Sequence, residues 1–451
     1  MRRTLISALL SAYLLTACGV NMRAHYQGYH SAVQKRDFAR ATAYVESQRD
    51  GFYADNNELL YHLDMGMLLH LNGRYAESNR YLEAAKTLAQ TLWTESVGEH
   101  AAAWLTTDDS LPYQGEDFEK VMIHVVAALN YLALGDTQGA RVEARQVTNK
   151  LELYNAKYES KNAYRDDGFC RWLAGALAET QNDSTALNDA WIDYQKAIAV
   201  YEEDYAHRYG AHVPRFILRD AFRVLTALGD DFAGEFAALR QKYPTITYID
   251  PAHHQQRGRV VLIHMNGEAP EKVDQFIPLF TGKSLMRAAF PKFVVRDHQI
   301  KQARITAVGL KTEEADNLTA IAVQNLKDHM GRIMAVAMAR IALKHTVGEV
   351  ASAGGKVMSK SSATGVAATG MALQAVAAVW QISQLAIEEA DKRSWLNLPA
   401  RIDVGDAYVD PGKHTFEVEF LDSRGRVVEK ITLKGEVKAG QTLFLFYRTF
   451  Y

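Results

Sequence analysis

Only two cysteines, Cys18 and Cys170, occur in the 451 residues, which excludes a disulfide-stapled fold. Basic excess is missing too: 51 lysines and arginines stand against 53 aspartates and glutamates, which argues against a nucleic-acid footprint. Catalytic signatures are absent. The sequence contains no HExxH, GxSxG, GxGxxG or paired CxxC. Gly282-Lys283-Ser284 looks like the end of a phosphate-binding loop but lacks the earlier glycine that loop requires, Ile277 standing there instead. His253-His254 reads as solvated imidazoles in a polar turn. Asp166-Asp167, Glu202-Glu203 and Asp230-Asp231 read as caps or solvated helix faces. No catalytic residue, metal or cofactor is therefore expected. With 48% hydrophobic residues the chain can still bury sizeable cores in two or three domains.

What is present begins at the N-terminus. Arg2 and Arg3 precede an apolar run from Leu5 to Leu15, too short to span a bilayer, and Leu15-Thr16-Ala17-Cys18 ends it with small residues before a cysteine. This resembles a bacterial lipoprotein signal peptide over residues 1–17. The resemblance implies that Cys18 is the lipidated first residue of the mature protein, with palmitate among its acyl chains. Gly19 in the next position, rather than aspartate, implies delivery to the outer membrane. Cys170 then stands alone, in an apolar helical pattern with Phe169, Leu173 and Leu177 that predicts a buried, inert thiol.

From residue 18 to 244 the chain reads as an α-solenoid of TPR-like helical repeats. The clearest unit, His62 to Ala85, places Gly66 and Ser78 where two helices cross closely and Gly73 at the end of the first. Tyr75, Leu82 and Ala85 fill the groove between the pair and its neighbour. A degenerate unit precedes it with Phe38, Ala41 and Val45. Later units carry Tyr131, Gly135 and Ala140, then Gly175, Ala190 and Tyr194, and a weak one surrounds Gly229. Four or five such pairs satisfy the rule that about three or more repeats are needed for stability. The expected product is a surface whose concave wall binds a partner; an all-helical domain without superhelical order is the alternative.

Composition shifts at Tyr243-Pro244. β-Branched runs follow at 245–249, 260–263, 293–295 and 305–308, and strands return from Ile402, where Phe416, Val418 and Phe420 alternate with Glu417 and Glu419. Residues 245–312 and 396–451 are read as one β-sandwich-like domain, and 313–395 as an inserted helical hairpin with a Gly/Ser-rich tip. No charged residue occurs from Ser361 to Ile387, a length able to cross a bilayer. The glutamines at 374, 381 and 384 form a polar stripe that favours packing on protein instead. Trp395 and Pro399 are expected to pin the insertion to the sandwich. The fold class is multidomain α+β.

Two strings, Gly267-Glu268-Ala269-Pro270 with Lys272, and Ala390-Asp391 with Arg393, Trp395, Leu398 and Pro399, resemble the hallmarks of a group of uncharacterised tetratricopeptide-type lipoproteins of Gram-negative bacteria. That resemblance implies an envelope location and a scaffold role, and offers no catalytic residues. The expectation is a lipid-anchored, periplasm-facing scaffold or assembly factor. It would bind envelope proteins, with peptidoglycan synthesis as the expected setting, no nucleic-acid partner, and self-association left open. Rivals are a glycan-binding or glycan-cleaving enzyme and a membrane-active protein that inserts its hairpin.

Overall fold

The computed structural model describes residues 22–98, 111–157, 164–181, 183–280, 285–335, 337–338 and 390–450. Helices fill the first half: α1 Met22–Gln34, α2 Phe38–Ser47, α3 Glu58–Leu71, α4 Tyr75–Gly98, α5 Asp117–Ala133, α6 Thr137–Lys157, α7 Gly168–Glu179 and α8 Ser184–Ala199. A π turn, Val200–Tyr205, carries α8 onward, and α9 Arg215–Leu228, α10 Ala233–Lys242 and α11 Pro251–Gln256 follow. Neighbours in sequence are neighbours in space: α3 packs on α4, α5 on α6, α7 on α8.

Stops and starts are set by local chemistry. Gly73 and Gly135 adopt φ of +72° and +79°, the left-handed conformation that ends a helix at little cost only for glycine. Asp37, Asp167 and Asp183 cap α2, α7 and α8 through their side chains. Close crossings need small residues. A Cβ on Gly66 would lie 2.5 Å from Leu82 Cδ2, and one on Gly175 would lie 2.6 Å from Tyr194 Cε1. Ser78 Oγ donates to the Gly66 carbonyl at 2.6 Å, while Ala85, Ala140 and Ala190 are fully buried. Tyr75 meets the His70 ring edge-on at 5.7 Å, and Tyr131 is half-buried against the core.

The helices differ in how deeply they are buried. Every residue of α7 is buried, as is most of α3 and α5, whereas α2 buries only Phe38, Ala41 and Val45. Helices apolar all round belong in an interior, and what covers the inner ones is β-structure.

Strands are β1 Gly258–Asn266, β2 Glu271–Phe280, β3 Leu285–Val294, β4 Gln302–Ile305, β5 Leu310–Lys311, β6 Glu313–Asp316, β7 Arg401–Val409, β8 Gly412–Leu421, β9 Val427–Val437 and β10 Thr442–Arg448. They make a sheet in the order β10-β1-β7-β6, a ribbon β2-β3, and a second sheet β5-β4-β8-β9. β1 is buried along its whole length and lies between a parallel β10 and an antiparallel β7. Its side chains divide by parity. Val261, Ile263 and Met265 join the helical core, and Val260 and Leu262 join a second core with Phe416, Val418 and Phe420 of β8. The first sheet is thus the middle layer between helices and the second sheet.

Several expectations are corrected. Residues 245–249 form no strand; Tyr248 of that segment stacks on Phe222 instead. Residues 313–316, assigned to the hairpin, pair with β7, and the helix begins only at 318. His253-His254 lies on α11 with His254 buried, not in a turn. Asp167 caps a helix but is 1% exposed, so solvation does not explain it. Cys18, Gly282-Lys283-Ser284 and the charge-free stretch 361–387 lie outside the described residues.

Candidate functional site: a strap between helices and sheet

Residues 390–400 form an irregular strap between the insertion and β7, and nearly all of it is buried. It enters at Ala390, whose N–H donates to Asp274 Oδ1 of β2 at 2.9 Å, with Lys392 Nζ reaching Oδ2 at the same distance. Arg393, 2% exposed, pairs with Asp391 and donates to the carbonyls of Leu111 and Asn56 at 2.8 and 3.2 Å. Trp395, 1% exposed, donates its backbone N–H to Glu119 Oε1 at 2.7 Å. Asn397 donates to Asp64 Oδ1 at 2.8 Å and to the Tyr29 hydroxyl at 3.0 Å. Pro399, buried as well, ends the strap before β7.

The two sequence strings meet here. Ala269 N–H donates to the Leu398 carbonyl, and Ala400 N–H to the Asn266 carbonyl, both at 2.9 Å. Gly267 makes this approach possible: its φ is +67°, and a Cβ would lie 3.1 Å from Ala400 Cβ and 2.8 Å from His298 Cβ. Lys272, 5% exposed, pairs with Glu116. Burial works against its charge, but Glu116, Asp391 and Glu119 outweigh this and hold its pKa above the usual value. Tyr26, His30 and Arg296 converge on Glu268.

Two carboxyls grip the strap from the helical side. Glu119 on α5 also accepts from the Tyr113 hydroxyl at 2.5 Å; burial, then the charge of Glu116, push its pKa up to about 7, against the pull of Lys272. Asp64 on α3 accepts from the Tyr53 hydroxyl at 2.6 Å, and burial pushes it to about 7 as well. Burial drives His25, bonded to Tyr53, down to about 4. Trp395 lies in the core shared by the helices and the first sheet, and its backbone and Asn397 tie the strap to α5 and α3.

Chemically this arrangement is a latch. Its ion pairs are made within the chain, while Ser394 Oγ, Trp395 Nε1 and Asn397 Oδ1 are buried without a hydrogen-bond partner. Thr449, His264 and Asp403 line up like a hydrolase triad, with His264 Nε2 2.8 Å from Thr449 Oγ1 and Nδ1 3.3 Å from Asp403. All three are at most 1% exposed, so the hydroxyl meets no substrate. The open space nearby is a cleft of about 820 Å³ bordered by Glu268, His298, Lys301, Arg424, Arg426 and Phe450. Among the described residues no three His, Cys, Asp or Glu side chains converge as a metal site, and no helix is long and apolar enough to cross a membrane.

Sequence reading found Trp395, Pro399 and Lys272 but not Glu119 or Asp64. A signal was available for Asp64, an acid inside an apolar helical run between Leu63 and Met65; Glu119 sits in the charged stretch Glu116-Asp117-Phe118-Glu119-Lys120, which hides it. Compared with protein-family models, with curated proteins and with solved structures, the chain finds no match.

Proposed function

We propose that this chain is an outer-membrane lipoprotein, anchored through Cys18 and facing the periplasm. It works as a scaffold for protein partners of an envelope complex, with peptidoglycan synthesis the favoured setting. In this reading the helical pairs are TPR-like repeats and the two facing sheets a β-sandwich-like domain. One face of the helices packs on the chain's own first sheet and strap, so partners dock elsewhere.

One observation carries the proposal: the strap, latched by Glu119 and Asp64, ties helices and sheets together and fixes the root of segment 339–389. The helix at 318–335 leads toward that segment against the β2-β3 ribbon, Ala337 packing with Ala288 and Phe290, and Ala390 returns from it to Asp274 of the same ribbon. A long insertion rooted at one place on a firm body suits presentation to a partner.

The test is crosslinking in living cells from sites in 347–362, compared with a variant in which those residues are replaced by a short Gly-Ser linker. A defined protein partner lost in that variant supports the scaffold. Unchanged capture places the binding surface elsewhere, and glycan capture at the Glu268 cleft favours the enzyme or glycan-binding rival. Separately, Cys18→Ser is expected to abolish acylation and release the protein from outer-membrane fractions. Unchanged mass and fractionation would refute the anchor.

A further inference from the structure

A lipid on Cys18 limits where the body of the protein can lie. Three residues, 19–21, separate that cysteine from Met22 at the start of α1, and a link of that length spans about 14 Å even when fully extended. Whatever surrounds the start of α1 is therefore held close to the bilayer. The end of the β2-β3 ribbon is there. Arg23 Nε approaches Glu271 Oε1 to 3.9 Å, and Glu271 stands directly opposite Val294 in the ribbon, so that both side chains share the face Arg23 reaches. Arg296, two residues beyond Val294, lies 5.2 Å over the Tyr26 ring and donates to Glu268 and Glu271, each at 3.3 Å.

This end of the ribbon is unusually apolar. Val294 and Val295 are 46% and 56% exposed, the one place among the described residues where two large apolar side chains in succession stand in solvent. Val323, 39% exposed, borders a cleft of about 380 Å³ together with Val295 and Tyr209, and enlarges the patch. The charges around it are mixed. Arg23 and Arg296 meet Glu271, while Lys292 and Asp297 are exposed and have no ion-pair partner among the described residues.

We propose that Val294 and Val295, with Val323 beside them, rest in the headgroup layer of the bilayer that carries the Cys18 lipid. The inference depends on the Cys18 anchor of the proposed function and adds an orientation to it. Three valines bury too little apolar surface to hold a protein on a membrane unaided, but so short a tether keeps them at high local concentration beside it. Arg23 and Lys292 reach lipid phosphates, and the exposed carboxylate of Asp297 keeps the contact shallow. Direction follows from the helix at 318–335. It begins beside Val295, at Thr319 to Val323, and near its far end Ala337 packs on Ala288 and Phe290 of β3. Strand from Val295 back to Ala288 covers about 23 Å, and helix from Val323 to Ala337 rises about 21 Å, so the two lengths agree. The helix thus leads the chain away from the bilayer, which favours presenting segment 339–389 to a partner over inserting it into the anchoring membrane.

The test uses the lipidated full chain in vesicles of phosphatidylethanolamine and phosphatidylglycerol that carry a headgroup quencher. Cys170 is buried and acylation occupies Cys18, so Lys292→Cys and Met334→Cys, both at exposed positions, each take a single fluorophore. Quenching several-fold stronger at position 292 than at 334 is expected. Val294→Ser combined with Val295→Ser weakens it several-fold at 292, while every variant still floats with the vesicles. The comparison of the two labels holds even if the double serine variant misfolds. Quenching at 334 equal to or stronger than that at 292, or quenching at 292 untouched by the serines, would overturn the membrane-resting face and leave the anchor standing. An unacylated mass with no flotation would overturn the anchor and the face together.

Discussion

Two groups of buried acids lie on the same interface between helices and first sheet, and they are neutralised in different ways. Around Asp220, Arg259 approaches to 2.7 Å and Arg223 to 2.8 Å, while Trp172 donates its indole N–H at 2.8 Å. Arg259 also pairs with Asp406 at 3.1 Å, and Arg223 with Glu179 at 2.6 Å. Burial raises the Asp220 pKa, but Arg259 and Arg223 overcome it and hold the carboxyl below its usual value. Asp316 and Asp167 have equal burial, no such cations, and pKa values displaced upward. Burial alone therefore does not decide the charge of an interior acid; the neighbours delivered by the fold do. Arginines neutralise the Asp220 group, whereas burial and acidic neighbours hold the Asp316 group toward its protonated form.

The largest way to break this contrast is to uncouple the complete cluster. Arg259→Ala should cost about 3–5 kcal/mol in chemical denaturation, because Asp220 and Asp406 lose a buried partner. Asp316→Asn should move stability the other way under the same conditions, and equal losses in the two variants would erase the distinction.

The strap carboxyls sharpen the comparison with pH. Glu119 and Asp64 have folded pKa values near 7, raised by burial above those of the unfolded chain, so the folded state holds their protons more tightly. Their contribution is fully present below the unfolded pKa and is lost as pH rises through the folded one. Across pH 5 to 8, Glu119→Gln should therefore gain on the parent by on the order of 2 kcal/mol as pH increases. A constant difference between the two proteins over that range would contradict the assignment.

Two glycines give a smaller, purely steric scale. Gly66→Leu should cost about 1–3 kcal/mol or more, since Leu82 already fills the space a side chain would enter. Gly135→Ala meets no atom within 4 Å, so only its positive φ is penalised, by about 1 kcal/mol. Equal melting temperatures for the two variants would count against the close helix crossing.

Legibility in the sequence followed the range of the interactions. Helix ends, close crossings and the alternating strand at Phe416, Val418 and Phe420 depend on residues near one another in the chain, and their spacing carries the information. The layer order does not. That Val261 faces helices while Val260 faces a sheet depends on contacts more than a hundred residues away, and a uniformly apolar run gives no parity to read. Asp64 and Glu119 were missed for the same reason: the acids are visible, but their partners, Asn397 and the Trp395 backbone, lie far off in sequence. Trp395 stood out as an anchor, yet nothing local said that it lies in a core shared by the helices and the first sheet.

The central claim is that the strap makes helices and sheets one cooperative body. Denaturant unfolding of the chain, followed by hydrogen exchange resolved along the sequence, tests it through Trp395→Ala, which removes the largest side chain of the latch at a cost of about 3–5 kcal/mol. The parent should open α3, α5 and β1 in a single transition, and the variant should release the helices at lower denaturant than β1 and β7. A variant that still unfolds in one step, or a parent whose two halves already separate, would contradict it.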